Sequence, residues 1–377
     1  MKKHTPLGVE EDFFDEEPRD SSRVKRQIVT EYFGYYMNVM ARDGRSPGYV
    51  DLFAGPGKYG SGEESIPILI CKQVAANERL RNKVKLWFNE GDPELYKKLQ
   101  ENIAAIPKID SFAHPPRITN RIISRAFAPQ LSGMRTPSFI FVDPCGYKGV
   151  SLKLIASALQ PFGNDCIFFF NYNRVNMKLS YELMNESVNS FFEAERAERV
   201  RSEIRGLESP KAREQIILAA VTTALKEQVH AYCLTFGFRT REGGGTSHHL
   251  VYATKDVRAL NQMKVIYLKA SSDKRDGVGS LDYDPRDAES TELCLFSPLD
   301  EVRERVLGVF AGRALTFDDL ISEETETTFT KSAYRNVLLE LEEEKRVTMD
   351  PPAEDRRFRP GGERRSLPGA TTIRFSV

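Results

Sequence analysis

The sequence predicts an α/β protein: a mostly parallel sheet with helices on both faces, closed by an antiparallel hairpin and followed by a small helix-rich domain. Three observations predict it. Short apolar runs at Tyr49-Val-Asp-Leu-Phe53, Val84–Asn89, Ser138–Val142 and Asp165–Asn171 alternate with segments of helical periodicity. Strands that are apolar on both faces belong to parallel sheets buried on both sides. Two more strand-like runs, Ala231–Arg239 and Ser247–Ala253, flank Gly243-Gly-Gly245, which is a hairpin signal. Beyond Pro298 the pattern changes to three helices and two short strands around an arginine-rich loop. A chain of 377 residues is also long enough to need more than one core.

The elements follow in order. Residues 1–20 are polar and acidic and read as a flexible arm. A helix is expected over 21–42, capped by Ser21 or Ser22, with Val24, Ile28, Val29, Tyr32, Tyr35, Tyr36 and Val39 near one face. Asp43-Gly-Arg-Ser-Pro47 ends it. Further helices are expected over 65–81, 94–103 and 150–159, with a short strand and helix within 117–131. The charged stretch 178–229 reads as a helical insertion over the carboxyl edge of the sheet. The main domain then spans 21–270, a polar connector 271–297 and the small domain 298–377. A parallel sheet that ends in an antiparallel hairpin is the seven-stranded arrangement of the Rossmann-like class I methyltransferases, so the element order is itself informative.

Composition narrows the function. Formal net charge is zero, so no global field draws the molecule onto nucleic acid and any such contact must come from local basic patches. Cys71, Cys145, Cys166, Cys233 and Cys294 are scattered, form no Cys-x-x-Cys pair and match no zinc spacing. With no apolar run long enough for a membrane span, a cytoplasmic protein without a metal site is expected.

The strongest local signal is Asp51-Leu-Phe-Ala-Gly55-Pro-Gly57-Lys-Tyr-Gly60, directly after a predicted strand. Glycines there allow a tight turn and close approach of a ligand to the backbone. Asp51 can accept a hydrogen bond from an ammonium group or neutralise it. Glu90 ends the next strand, where an acidic side chain accepts hydrogen bonds from ribose hydroxyls. Phe53, Gly55, Gly57, Asp92 and Asn120 complete the expected cofactor site. No lysine follows in Walker order, which disfavours a nucleotide hydrolase.

The second signal is Phe139-Ile-Phe-Val-Asp143-Pro144-Cys145-Gly146-Tyr147, a strand running into a polar turn. Asp143 and the Pro144 carbonyl can accept hydrogen bonds from an amino group, and Tyr147 can stack on a flipped base. Pro144-Cys145 also matches the nucleophile loop of cytosine-C5 methyltransferases, with Cys145 as attacking thiol; the alternative is a small filler residue. Asn171, Asn173 and Arg174 follow the fifth strand as substrate-binding candidates, against the alternative of a capped turn. His248 and His249, adjacent on a strand, face opposite sides and are assigned structural roles. In the small domain, Lys331, Tyr334 and Arg335 share a helix face. Arg356, Arg357, Arg359, Arg364 and Arg365 lie in the loop of the wing. These residues suit phosphate contacts, the alternative being a protein-docking module, and Glu342-Glu-Glu344 opposes simple major-groove insertion.

Taken together, Tyr49-Val-Asp-Leu-Phe-Ala-Gly-Pro-Gly-Lys-Tyr, Phe-Val-Asp-Pro-Cys-Gly-Tyr-Lys-Gly149, Phe-Phe-Asn-Tyr-Asn-Arg174 and His-Leu-Val-Tyr-Ala-Thr254 resemble the three-Cys-motif partner (TcmP) family over most of residues 21–377. The resemblance implies a class I methyltransferase fold with a C-terminal winged helix-turn-helix domain, S-adenosylmethionine as cofactor, and a separate three-cysteine, radical-SAM-type iron–sulfur protein as partner. The family's usual Asp-Pro-Phe-Gly is Asp-Pro-Cys-Gly here. Asp-Pro-Phe-Gly also looks like the motif of tRNA guanine-N2 methyltransferases, which tilts the expectation toward N-methylation of a nucleobase. The competing expectation is a non-catalytic methyltransferase-fold module that binds a partner or nucleic acid.

Overall fold

The computed structural model describes residues 20–42, 45–144, 149–179, 185–240, 245–274, 278–286, 298–358 and 365–376. The acidic arm at 1–19 therefore lies outside the described residues. The chain divides into two compact units, Met1–Ile266 with Tyr283–Pro285, and Tyr267–Asp282 with Arg286–Val377. Part of the expected connector thus belongs to the second unit.

The first unit opens with α1 (Asp20–Met40), followed by β1 (Gly48–Asp51), α2 (Ile66–Ala76), α3 (Glu78–Lys83), β2 (Lys85–Asn89), α4 (Pro93–Ala104), β3 (Arg117–Thr119), α5 (Ala128–Ser132), β4 (Ser138–Val142), α6 (Leu152–Leu159) and β5 (Asp165–Phe170). The single helix expected over 65–81 is two, because Asn77 adopts extended backbone and its side chain caps α3. Four helices follow: α7 (Tyr172–Leu179), α8 (Asn185–Phe192), α9 (Ala194–Ile204) and α10 (Pro210–Val229). The hairpin β6 (Tyr232–Arg239) and β7 (Thr246–Thr254), then α11 (Val257–Ala270) and the two-residue β8 (Asp282–Tyr283), complete the large sheet and its cover.

Strand order is β3-β2-β1-β4-β5-β7-β6-β8. β1 pairs in parallel with β2 and β4, β2 with β3 and β4 with β5, while β7 runs antiparallel to β5 and β6. This is the predicted class I arrangement, with β8 as an added edge.

Each face of the sheet has its own cover. Tyr49 and Phe139 point to α1, where Phe33 and Tyr32 meet them edge-on at 5.5 and 5.0 Å between ring centres. On the other face Val50, Ile140, Val142, Phe168 and Val251 share one core with Leu154 and Ile155 of α6, Phe191 and Phe192 of α8 and Ile217 and Val221 of α10. The expected insertion is therefore part of a helix layer on this face, because the apolar sides of α8–α10 find their largest partner there.

At the centre of the α1 face lies a polar junction. The Tyr32 hydroxyl donates to Asp165 Oδ2 at 2.5 Å and meets the Tyr252 hydroxyl at 2.6 Å, all three side chains being buried. Burial pushes the Asp165 carboxyl up to about 7. One turn on, Tyr36 donates to the Gly163 carbonyl at 2.6 Å. These bonds fix the rotation of α1 about its axis, and so fix which residues of its first turns face the carboxyl end of the sheet.

The second unit holds α12 (Pro298–Val309), β9 (Ala314–Thr316), α13 (Phe317–Glu323), α14 (Lys331–Glu343), β10 (Val347–Asp350) and β11 (Thr372–Phe375). Its sheet order is β10-β11-β9, one strand more than the sequence signals. Thr316 and Asp319 form a capping box on α13, and Thr330 caps α14. Val302, Phe310, Leu320, Tyr334, Leu338 and Ile373 build a separate core, as expected of a winged helix-turn-helix domain.

Tyr32→Phe removes a hydroxyl on which two buried oxygens depend. The variant is expected to lose about 1–3 kcal/mol of stability in urea unfolding, with unchanged far-ultraviolet circular dichroism.

Candidate functional site

Parallel register decides what meets at the carboxyl edge. Asp51 pairs with Phe88 of β2 and with Phe141 of β4. Two residues beyond those partners lie Glu90 and Asp143, so three carboxylates reach one edge of the sheet at adjacent strand ends. Between them runs the glycine turn. Gly57 has φ +88°, and a Cβ there would sit 3.1 Å from Ile68 Cδ1, so only glycine lets the turn close against α2. Asn102 of α4 donates to the Pro56 carbonyl at 2.8 Å and holds the turn from the other side.

Glu90 organises this turn directly. Its Oε2 accepts the Gly55 N–H and its Oε1 the Asp92 N–H, each at 2.8 Å. Burial makes its carboxyl a weaker acid than an ordinary glutamate, opposed by those amide bonds. Asp51 is completely buried and accepts the Phe53 N–H at 3.1 Å. Burial, reinforced by the Asp143 and Glu90 charges, pushes its carboxyl up to about 8. A carboxyl in that state gains most from an incoming cation, which restores the ionised form. Asp51 and Glu90 thus stand at either end of the glycine turn, one a fully buried carboxyl and the other accepting two backbone amides.

Asp143 is ion-paired with Lys25 of α1, through Oδ2, and the two side chains are only 20% and 11% exposed. Pro144 beside it is buried. Tyr147 and Cys145 lie outside the described residues. Downstream, Gly149 has φ +91°, and a Cβ would come within 1.9 Å of the Ile123 carbonyl oxygen, so only glycine fits at 149.

Lys25 is the residue at this edge that the sequence pattern does not single out. Its Nζ stands 5.4 Å from the centre of the Phe169 ring. Nearby, Arg23 and Arg26 bind Glu63, just past the glycine turn. The available signal was three basic residues near the start of a helix, where the macrodipole disfavours cations unless a carboxylate answers them. The His248 ring lies 4.6 Å from Phe169 and stacks on Phe238 at 4.5 Å. Burial, and then Lys25, hold His248 down to about 3, so it stays neutral. His249 faces the other side and bonds Glu214 at 2.8 Å, in agreement with the expected alternation.

Other expected site residues have local duties. Asp92 caps α4 by accepting from the Glu94 and Leu95 amides, so its carboxylate serves the helix. Asn120 donates to the Glu90 carbonyl at 2.7 Å and steadies that strand end. Phe53 is half-buried against the α6-side core. Asn171 Oδ1 accepts the Arg174 N–H at 3.1 Å, the capped-turn alternative, while Asn173 and Arg174 are exposed on α7. In the winged domain Arg356 corrects an expectation. Its side chain is buried, binds Glu342 and donates to the Ser366 carbonyl at 3.2 Å, so it braces the wing and does not reach a phosphate. The reason is the glutamate on α14, which draws the guanidinium inward. Lys331 pairs with Asp318 at 2.7 Å, Lys331 and Arg335 both lie over the Phe317 ring, and Arg357 is exposed. Arg359 and Arg364 lie outside the described residues. Among the described residues no helix is long and apolar enough to cross a membrane.

Residues 282–354 match the family described as GMT-like wHTH domain. Similar solved structures include the O-methyltransferase from Bacillus cereus in complex with SAH, at 12% identity, covering 63% of this chain and 92% of that one, with a TM-score of 0.32. The glycopeptide N-methyltransferase MtfA complexed with sinefungin matches at 8% identity, over 60% of this chain and 86% of its own, with a TM-score of 0.31. A predicted O-methyltransferase from Agrobacterium tumefaciens matches at 15%, over 58% and 79%, with a TM-score of 0.30. No curated protein matches the sequence.

Two substitutions test this geometry. The folded chain holds a proton on Asp51 that the unfolded chain releases, so stability falls as pH rises from the ordinary aspartate range to about 8. Asp51→Asn escapes that loss. Its thermal stability should exceed the wild type by a margin that widens up to pH 8, reaching about 2 kcal/mol or more, and stays level above it. Arg356→Ala should destabilise the winged domain by about 3–5 kcal/mol in denaturant unfolding, since it strands the Glu342 charge.

Proposed function

We propose that the protein is an S-adenosylmethionine-dependent methyltransferase that methylates an amino nitrogen, in the simplest case of a nucleobase, and that it acts with a separate three-cysteine protein. The observation that carries the reading is the convergence of Asp51, Glu90 and Asp143 on one glycine turn, at the carboxyl ends of β1, β2 and β4 in a sheet of class I order.

The residues fit the cofactor. Asp51, buried and short of positive charge, suits its amino-acid ammonium, and Glu90 suits its ribose hydroxyls. When bound, S-adenosylmethionine would supply a sulfonium methyl for attack by a nitrogen lone pair, the N–C bond forming as the S–C pair goes to the departing thioether sulfur. Asp143 holds the nucleophile: a carboxylate accepting its N–H aims the lone pair and takes up charge that develops on nitrogen, which sheds its proton to solvent. The half-buried Phe169 ring, beside the Lys25 amine, offers a planar substrate a stacking surface.

For the C-terminal domain a protein-docking role is favoured over phosphate contact. Residues 286–377 carry 19 acidic and 14 basic side chains, an excess that repels a polyanion, and Arg356 is committed to the fold. That reading agrees with the partner implied by the family resemblance.

Calorimetric titration with S-adenosylmethionine is the test. A dissociation constant on the order of micromolar, about −8 kcal/mol, is expected. Glu90→Gln should weaken it at least about tenfold, the cost of ribose hydrogen bonds made to a charged acceptor. A labelled-methyl screen over RNA, DNA and protein should then find transfer that Asp143→Asn abolishes while cofactor binding survives. Failure of the wild type to bind cofactor would refute the reading.

A further inference from the structure

One largely buried charge at this edge, the Lys25 ammonium, takes no part in holding cofactor or nucleophile. Three carboxylates crowd the carboxyl edge, and the ammonium set among them comes from Lys25, on a helix that precedes the whole sheet. This is not a surface pair of little consequence. Both side chains are largely withdrawn from water, where a charge acts over a longer range than at an exposed site. Lys25 engages Oδ2 of Asp143, and among the described residues Oδ1 has no hydrogen-bond partner. The helix is held in this position at two levels. Arg23 and Arg26 bind Glu63 beside the glycine turn, and Tyr32, two turns on, bonds Asp165 and Tyr252. Phe169 beside the amine is apolar, His248 is neutral, and Asp51 and Tyr59, which also feel the Lys25 charge, are acidic groups.

We propose that Lys25 is a positioning residue that sets the charge balance of the transfer site: it neutralises Asp143 through Oδ2, leaves Oδ1 for the substrate N–H, and so denies a bound sulfonium an unbalanced carboxylate. The proposal rests on the methyltransferase reading. Its physical basis is the direction of charge flow. Methyl transfer moves positive charge from sulfur toward nitrogen. A carboxylate without a counterion near the sulfonium would stabilise the charged ground state, and binding energy realised in the ground state does not lower the barrier. With Lys25 on one oxygen, Asp143 keeps its hydrogen-bonding function toward nitrogen while its net attraction for the cofactor is cancelled.

The consequence can be read without a substrate, from the preference for a charged over a neutral cofactor. S-adenosylmethionine carries the sulfonium, whereas S-adenosylhomocysteine is its neutral thioether. Both are titrated into the full-length wild type and into Lys25→Met, Lys25→Arg and Asp143→Asn, with the melting temperature of each variant measured alongside. Lys25→Met should raise the affinity ratio of S-adenosylmethionine to S-adenosylhomocysteine roughly tenfold, as expected for one uncompensated charge within a few ångströms of the sulfur. Lys25→Arg should restore the wild-type ratio, and Asp143→Asn should lower it. A residue that merely braced the helix would change both affinities together. Should Lys25→Met fail to fold, Lys25→Gln carries the same expectation. An unchanged ratio in a folded, cofactor-binding variant overturns the role of Lys25 and leaves the cofactor reading standing. Absence of binding of either ligand by the wild type overturns both.

Discussion

Parallel pairing of β1 with β2 and β4 places Asp51, Glu90 and Asp143 at one buried edge, and much of the first unit answers the electrostatic problem this creates. Three acids in a poorly hydrated place repel one another and lose solvation. Each is compensated differently. Glu90 accepts amide hydrogens from Gly55 and Asp92. Asp143 takes the Lys25 ammonium. Asp51 has the weakest compensation and retains its proton to about pH 8. The uneven distribution leaves one acid protonated, one bonded to backbone amides and one ion-paired.

The helix α1 links this edge to the fold's stability. Its apolar and aromatic face packs on β1 and β4, while its first turns reach the acids. The same rigid element is therefore fixed by the Tyr32–Asp165–Tyr252 junction at one level and delivers Lys25 at another. A shift in the packing at the junction would carry to the ion pair, since a helix transmits rotation along its length.

The winged domain follows another electrostatic plan. Its buried Glu324 accepts from Tyr334 at 2.6 Å and pairs with Arg305, and Arg356 is drawn onto Glu342. Arg305 and Arg356 are thus committed to carboxylates of their own domain. A basic sequence near a wing does not by itself predict a basic surface, because acidic partners on a neighbouring helix neutralise it.

The sequence by itself determined the class of fold and the acidic strand ends. Apolar strands, glycine turns and hairpin signals are local, so periodicity and turn chemistry reveal them, and Asp51, Glu90 and Asp143 are legible because each directly ends such a strand. Helix boundaries at Asn77, the added strands β8 and β9 and the place of α8–α10 were not legible, since they depend on which surface an apolar side meets. Tertiary structure alone decided the rest. It brought Lys25 across 118 residues to Asp143, turned Arg356 inward, and gave Asp92, Asn120 and Asn171 local capping and bracing duties. The physical reason is that a hydrogen-bonding or charged side chain takes the best partner within reach, and reach is set by the packing of elements distant in sequence.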